Sequence, residues 1–122
     1  MAGVLADTDV LIDALRGDAG GLARIDEAAA GGARHLSVLT AAELRAGLAG
    51  DDPAVALLLA DFLVLPLSLP VAERGGRLRR EFGPSHGTDL VDAILAATAI
   101  ELELTLVTNN RRHYPMPGLT LA

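Results

Sequence analysis

Three acidic residues stand where their carboxylates could act together. Asp7 follows the short apolar run 4–6, Glu43 lies in the helix expected after a second strand, and Asp92 lies in the first turn of a later helix. In a parallel sheet the returning helix runs antiparallel to the strands, so its N-terminus lies at their carboxyl edge, where such sheets bind ligands. The three carboxylates are therefore predicted to converge at that edge.

A cluster of this kind favours a bound cation. Carboxylates about 4 Å apart repel by about 4 kcal/mol per pair at an effective dielectric constant of about 20. Mg²⁺ and Mn²⁺ prefer oxygen ligands, and Mg²⁺ keeps several waters and can bridge to phosphate. Asp7, Glu43 and Asp92 are thus the candidate metal ligands.

Each acid also has a purely structural explanation. Thr40 with Glu43 fits a capping box, in which the glutamate reaches back to the first residue of its helix. Asp89 with Asp92 could cap the last long helix and complement its dipole. Asp7 could be an ordinary turn residue. The residues alone leave both explanations open.

The elements that would position these acids alternate along the chain. Strands are predicted at 4–6, 35–39, 64–67, 105–107 and 119–121. Helices are predicted through 10–15, 19–30, 40–47, 53–62, 68–82 and 89–103, with a loop at 83–87. The last helix is expected to carry an apolar side made of Leu90, Ala93, Ile94, Ala97 and Ile100. This alternation predicts a parallel α/β sheet covered on both faces.

Composition narrows the class of protein. The 122 residues are predicted to form one domain over 1–122, and 51% of them are hydrophobic, which excludes general disorder. The absence of cysteine excludes a thiolate zinc site and a cysteine nucleophile. A net charge of −6 argues against a passive nucleic-acid binder, although all ten basic residues are arginines, which suit phosphate contacts.

No segment reads as a membrane span or a secretory signal. The most apolar window, 54–72, is interrupted by Asp61, Pro66 and Pro70, and acids interrupt the N-terminal apolar residues. The expected location is the cytoplasm. The aliphatic residues of 54–69 could form a dimer face, and burial in the core explains them equally well.

Four segments, in order, resemble the motifs of PIN-domain nucleases, in particular the VapC-type toxins of VapBC toxin–antitoxin pairs. They are 7–12 (DTDVLI), 37–44 (SVLTAAEL) with Gly47, 92–99 (DAILAATA) and 106–114 (LVTNNRRHY). No single segment is specific, but the four together are typical of the family.

The resemblance implies a PIN-like three-layer α/β/α sandwich with a central, mostly parallel sheet of four to five strands. It implies an Mg²⁺-dependent ribonuclease, with Mn²⁺ as a substitute, in which Asp7, Glu43 and Asp92 are metal-site acids and Asn110 is the fourth catalytic position. It also implies an RNA substrate, a small VapB-like antitoxin that covers the site, and a homodimer.

The chain departs from the family pattern at Asn110, where many relatives carry an acid. Its amide could hold a water or a substrate oxygen, but one missing charge makes a second metal ion less favourable. Asp89 could add negative charge to the site, or it could only cap its helix. Thr108 could orient a carboxylate through its hydroxyl, or it could only form a turn. Arg111 and Arg112 are candidate phosphate contacts.

Two other classes of function remain open from sequence. A phosphoacceptor signalling domain also gathers acids around Mg²⁺, but it normally uses a lysine, and this chain has none. A catalytically inert binding module would keep the fold while losing site acids, and three acids remain here.

Overall fold

The centre of the molecule is a five-stranded sheet. A computed structural model describes residues 3–47 and 51–122. All the strand pairs are parallel, in the order β3-β2-β1-β4-β5. The strands are β1 (Val4–Ala6), β2 (Arg34–Ser37), β3 (Leu63–Leu65), β4 (Thr105–Val107) and β5 (Thr120–Leu121). The predicted parallel sheet is confirmed, and its central strand is the one that ends at Asp7.

Helices cover both faces of this sheet. They are α1 (Thr8–Leu15), α2 (Gly20–Ala29), α3 (Val38–Ala46), α4 (Pro53–Ala60), α5 (Leu69–His86) and α6 (Leu90–Glu101), with a 3₁₀ turn at Arg111–His113. Val4 and Ala6 pack with α1 to α4, whereas Leu5 packs with α6 on the opposite face. Since successive strand residues point to opposite faces, the short β1 is buried on both sides. The predicted three-layer α/β/α sandwich is confirmed.

The boundary between the second strand and its helix differs from the prediction. The strand was expected at 35–39 with a helix from Thr40, but β2 ends at Ser37 and α3 begins at Val38. The Ser37 side chain accepts a hydrogen bond from the Leu39 amide at 3.1 Å and so caps α3. The capping box of Thr40 and Glu43, one of the two explanations left open, is therefore not formed, and Glu43 is available to another partner.

Helix α5 is longer than predicted. It was expected to end at residue 82, followed by a loop at 83–87, but it continues to His86 despite Pro84. Gly87, with a φ of 70°, ends the helix in the left-handed region and donates to the Gly83 carbonyl at 3.0 Å. The final turn also gains an edge-on ring contact of Phe82 with His86, with centroids 6.1 Å apart. The expected loop is wrong because this cap and contact outweigh the missing proline N–H.

Helix α6 is buried around its circumference. The seven consecutive residues 93–99 are all buried, while Leu90, which was expected on the apolar side, is 54% exposed. Ala93, Ile94 and Ala97 are buried as predicted, and the prediction is wrong for Leu90. Burial extends beyond one side of the helix because α5 and the sheet both cover α6 and its alanines permit close approach. The remaining element boundaries lie within two residues of their predicted positions. Across the described ranges, no helix is both long and apolar enough to cross a membrane.

Candidate active site

Asp7 is the buried centre of the carboxyl edge. It follows β1, is 6% exposed, and caps α1 by accepting the Thr8 amide on Oδ1 at 2.7 Å. Its other oxygen, Oδ2, accepts the Thr108 hydroxyl at 2.8 Å and lies 2.8 Å from the Tyr114 hydroxyl. The cap and the hydroxyl contacts together fix the carboxylate in one orientation. The suggested orienting role of Thr108 thus has the necessary geometry.

Glu43 is held by a hydroxyl from the helix that Asp7 caps. Thr8 Oγ1 donates to Glu43 Oε1 at 2.6 Å and lies 3.1 Å from Thr40 Oγ1. Since a hydroxyl has a single proton, Thr8 gives it to the carboxylate and accepts from Thr40. The hydroxyl pair connects α1 to α3 and places Glu43 beside the end of β1.

Asp92 caps its helix and also contacts two side chains of the last motif. Its amide donates to Asp89 Oδ1 at 2.8 Å, and its Oδ2 accepts the Asp89 amide at 3.3 Å, which is a reciprocal capping box. His113 Nδ1 also donates to Oδ2 at 3.0 Å, and Oδ1 lies 3.0 Å from the Tyr114 hydroxyl. The capping role is confirmed, and the same carboxylate shares the Tyr114 hydroxyl with Asp7.

Glu43 and Asp92 both have raised pKa values. Burial is the largest cause that raises the pKa of Glu43, and the charges of Asp7, Asp89 and Asp92 add to it. Burial also raises the pKa of Asp92, with further contributions from Asp89 and Asp7. The contacts agree with these effects, because the Tyr114 hydroxyl lies within 3.0 Å of both Asp7 and Asp92, and Thr8, which follows Asp7, donates to Glu43. The three acids therefore lie at one edge of the sheet.

The neighbouring Asp9 is a fourth acid in an unfavourable setting. Burial, followed by the charge of Asp7, raises its pKa to about 6. Its Oδ1 is buried without a hydrogen-bond partner among the described residues. An orphaned carboxylate oxygen near Asp7 adds to the negative potential of this edge.

The donor set fits a hard divalent cation by its chemistry. Carboxylates of three elements share one edge, and their mutual repulsion favours positive charge there. Within residues 3–47 and 51–122, no three acids or histidines are close enough to enclose one ion as they stand. Mg²⁺ usually binds through one or two carboxylates and several waters, so the arrangement suits a partly hydrated ion.

Asn110 makes fewer hydrogen bonds to the residues around the site than its neighbour Asn109 does. Asn110 is exposed; its amide donates to Thr108 Oγ1 at 3.0 Å, and its side chain makes no hydrogen bond to other described residues. The Asn109 amide donates to Asp9 Oδ2 at 3.2 Å, and its side chain donates to Asp13 Oδ2 at 2.8 Å. Sequence reasoning missed Asn109, although Asp9 and Asp13, one turn apart on α1, were a usable signal.

Arg24 completes the connection around Asn109. Its guanidinium donates to Asn109 Oδ1 at 2.6 Å and to the Thr108 carbonyl at 2.8 Å. The loop after β4, which carries the Thr108 hydroxyl to Asp7, is therefore tied to both α1 and α2. This positioning role was also missed, because nothing local in the sequence connects α2 with that loop.

Tyr114 and His113 close the last of the four motif segments, and the sequence does not indicate which groups they contact. The Tyr114 ring is 3% exposed, and burial together with Asp7 and Asp92 raises the pKa of its hydroxyl well above the ordinary value. The hydroxyl therefore keeps its proton and acts as a donor. A buried tyrosine hydroxyl needs a partner, and that rule was the available signal.

Two groups of arginines stand close together in the sequence, and they differ in their position. They are Arg111 with Arg112, and Arg74 with Arg77, Arg79 and Arg80. Arg111 and Arg112 are exposed in the 3₁₀ turn that leads to His113, next to the acids. In the other cluster, Arg74 pairs with Glu101 of α6 at 2.5 Å. The first cluster is therefore the better placed for phosphate contacts.

Comparison with known proteins gives the chain a family. A protein-family model described as PIN domain matches residues 4–119 of the chain. The chain is 38% identical over 117 residues to Ribonuclease VapC19 of Mycobacterium tuberculosis, covering 92% of each protein. It is 37% identical over 115 residues to Ribonuclease VapC10 of the same species, covering 93% of this chain and 86% of the relative. A solved toxin–antitoxin complex from Klebsiella pneumoniae superposes with a TM-score of 0.76 at 27% identity, covering 97% of this chain and 96% of that one. The chain therefore belongs to the PIN domain family, as a VapC-type ribonuclease.

Proposed function

We propose that the chain is a metal-dependent endoribonuclease that acts as the toxin of a type II toxin–antitoxin pair. The observation that carries the proposal is the set of three carboxylates, Asp7, Glu43 and Asp92, at one edge of the sheet. Each carboxylate accepts a hydrogen bond from a side chain of a different element. This arrangement holds negative charge together, which a structural role alone would not require.

Asp7, Glu43 and Asp92 would hold Mg²⁺, with Mn²⁺ as a substitute. When bound, the ion lowers the pKa of a water and offsets the negative charge of the phosphate. Asp7 is suited to the central position because it is buried and fixed by the Thr8 amide and the Thr108 hydroxyl. Thr8, through its hydroxyl, keeps Glu43 turned towards the same place.

Substrate contacts are proposed for the exposed loop after β4. Asn110 presents an exposed amide beside Thr108, where it would contact a phosphate or ribose oxygen. Arg111 and Arg112 are exposed on the following 3₁₀ turn, and arginine binds phosphate bidentately. RNA would then enter across this loop, with the bond to be cut above the carboxylates. The cytoplasm, where RNA is accessible, is the proposed location.

A small VapB-like antitoxin is the proposed protein partner, on the basis of the toxin–antitoxin complex that superposes on this chain. Helices α1, α2 and α4 form an open groove of about 280 Å³, which would take an apolar segment of that antitoxin. The groove is lined by Ala14, Leu15, Leu22, Ala54, Leu57, Leu58 and Asp61. From this groove the remaining antitoxin chain would extend over the acids.

A homodimer is proposed through the outer face around β3. Core packing explains Val55 and Phe62 in segment 54–69, which are buried. It does not explain Leu63 and Leu69, which are 59% and 72% exposed. Core burial, one of the two explanations left open for this segment, accounts for only part of it, and the exposed residues are available to a second copy.

Cleavage of a mixed RNA pool by the purified, antitoxin-free protein tests the proposed activity. We expect cleavage with Mg²⁺ or Mn²⁺, none with chelator, and none from Asp7→Asn, since asparagine keeps the α1 cap but removes the charge. Cleavage that survives in chelator or in Asp7→Asn would refute the metal assignment. A folded protein that binds metal but cuts no RNA would support an inert binding module instead.

A further inference from the structure

Tyr114 is the one side chain of the described residues that contacts two of the site acids from a third element. Its hydroxyl lies 2.8 Å from Asp7 Oδ2 and 3.0 Å from Asp92 Oδ1. Asp7 stands at the end of β1 and Asp92 in the first turn of α6. The hydroxyl therefore spans the gap between the central strand and the helix that supplies the third acid.

The ring cannot easily move away from this position. It is 3% exposed and packs in the core cluster that contains Leu5, Leu95 and Met116. The Tyr114 amide donates to the Arg111 carbonyl at 3.0 Å, which fixes the backbone at the end of the 3₁₀ turn. A rigid ring with its hydroxyl between two carboxylates sets the distance between them.

The other donors at the site each act on one acid. Thr108 contacts Asp7 but not Asp92, and His113 contacts Asp92 but not Asp7. Removing either would loosen a single carboxylate. The single proton of the Tyr114 hydroxyl lies between two carboxylates, so removing this hydroxyl would affect both and leave a space between them. The relative placement of Asp7 and Asp92 therefore depends on Tyr114 alone among these donors.

We propose that Tyr114 is a positioning residue that sets the separation and orientation of Asp7 and Asp92 for a divalent cation. The inference rests on the proposed function, in which these two acids are cation ligands. Groups that orient metal ligands typically change metal affinity by about 10–100-fold when they are removed. The effect of Tyr114 belongs to cation binding and precedes any contact with RNA.

The chain carries its own reporter for this contact. It has one tyrosine and no tryptophan, so its tyrosine emission comes from Tyr114 alone. A cation that takes up oxygens of Asp7 and Asp92 changes the hydrogen-bond acceptors of this hydroxyl. We therefore expect the emission of the wild-type protein to change with added Mg²⁺ and to saturate.

Calorimetric titration with Mn²⁺ compares the wild type with Tyr114→Phe, which keeps the ring and removes only the hydroxyl. We expect the variant to fold in chelator and to bind Mn²⁺ about tenfold more weakly. Thr98→Val is the matched control, since it removes a buried hydroxyl that donates to the Ile94 carbonyl within α6. It should leave Mn²⁺ affinity unchanged.

Equal Mn²⁺ affinity of the wild type and a folded Tyr114→Phe would overturn the inference while leaving the proposed function intact. Absence of Mn²⁺ binding by the wild type would overturn both together. If the variant does not fold, the emission titration decides. Mg²⁺ binding that is seen by calorimetry without any change in Tyr114 emission overturns the inference, and a saturable change at the same concentrations supports it.

Discussion

Replacing Thr8 by valine is expected to destabilise the metal-free protein through Glu43. The two side chains have nearly the same shape, so the buried volume beside β1 is kept. The lost group is the hydroxyl that donates to Glu43 Oε1 at 2.6 Å and accepts from Thr40. Without it, the carboxylate loses its donor, and the Thr40 hydroxyl, which belongs to a buried residue, loses its acceptor.

The size of the effect follows from the charge and the partial burial of this contact. A hydrogen bond to a charged group contributes about 1.5–3 kcal/mol, and a neutral one about 1 kcal/mol. Because Glu43 is exposed over much of its side chain, solvent replaces part of the lost bond. We therefore expect the free energy of unfolding to fall by about 1–2 kcal/mol, which lowers Tm by about 4–8 °C for a domain of this size.

The loss should depend on pH in a definite direction. The Thr8 hydrogen bond lowers the pKa of Glu43, against the larger effect of burial, which raises it. Removing the bond therefore raises the pKa further and disfavours the ionised carboxylate. The destabilisation should be full where Glu43 is ionised, near neutral pH, and should shrink as the pH falls through the pKa of Glu43.

Urea unfolding in chelator at several pH values measures this effect, with Glu43→Gln as the background for a double-mutant cycle. We expect Thr8→Val to cost less in that background, because the charged acceptor is already gone. A loss of stability that is the same at every pH and in both backgrounds would refute the assignment of this hydroxyl to Glu43.

Three further predictions concern neighbouring parts of the fold. Asp9→Asn should stabilise the metal-free protein near neutral pH, because the folded-state pKa of Asp9 is raised from 3.8 to about 6. We expect urea unfolding to show a gain of about 1 kcal/mol, a value reduced for solvent screening. The gain should vanish as the pH falls from about 6 to 3.8. Gly75→Ala should lower Tm, because an added Cβ would lie 2.6 Å from a side-chain carbon of α6. Gly76→Ala, where an added Cβ meets open space, should raise the free energy of unfolding by about 0.5–1 kcal/mol. Equal effects of the two substitutions would contradict the close packing of α5 against α6. Asn109→Ala should cost about 1 kcal/mol of stability by releasing the loop from α1 and α2, whereas Asn110→Ala should leave Tm unchanged and reduce RNA cleavage; the reverse pattern would exchange the roles of these residues.

Much of the site could be predicted because its acids follow from local rules. Asp7 closes a short apolar strand, and Asp92 stands in the first turn of a strongly predicted helix, so parallel-sheet topology alone brings both to one edge. The same rules misplaced the start of α3, because Val38 and Leu39 suit a strand as well as a helix. The Ser37 cap, which decides between the two, is visible only once the helix is placed.

The supporting contacts could not be predicted because they depend on tertiary placement. Tyr114 contacts Asp7 across 107 residues of sequence, and Asn109 contacts Asp13 across 96. These residues meet because β4 pairs with β1 and because the chain turns after β4. Neither feature can be used to predict from sequence where a side chain points. The extension of α5 through Pro84 was hidden for a related reason, since a proline normally ends a helix.

RNA cleavage by a matched pair of variants, Glu43→Gln and Glu81→Gln, in saturating Mg²⁺ tests most directly whether the three carboxylates are needed for cleavage. Both replace one glutamate by its amide, but Glu43 faces Asp7 and Asp92, whereas Glu81 is exposed on α5. We predict that Glu81→Gln cleaves as the wild type does and that Glu43→Gln loses at least about a hundredfold in rate, which corresponds to about 2.7 kcal/mol. Equal cleavage by the two variants would contradict the proposal that these carboxylates hold the ion on which cleavage depends.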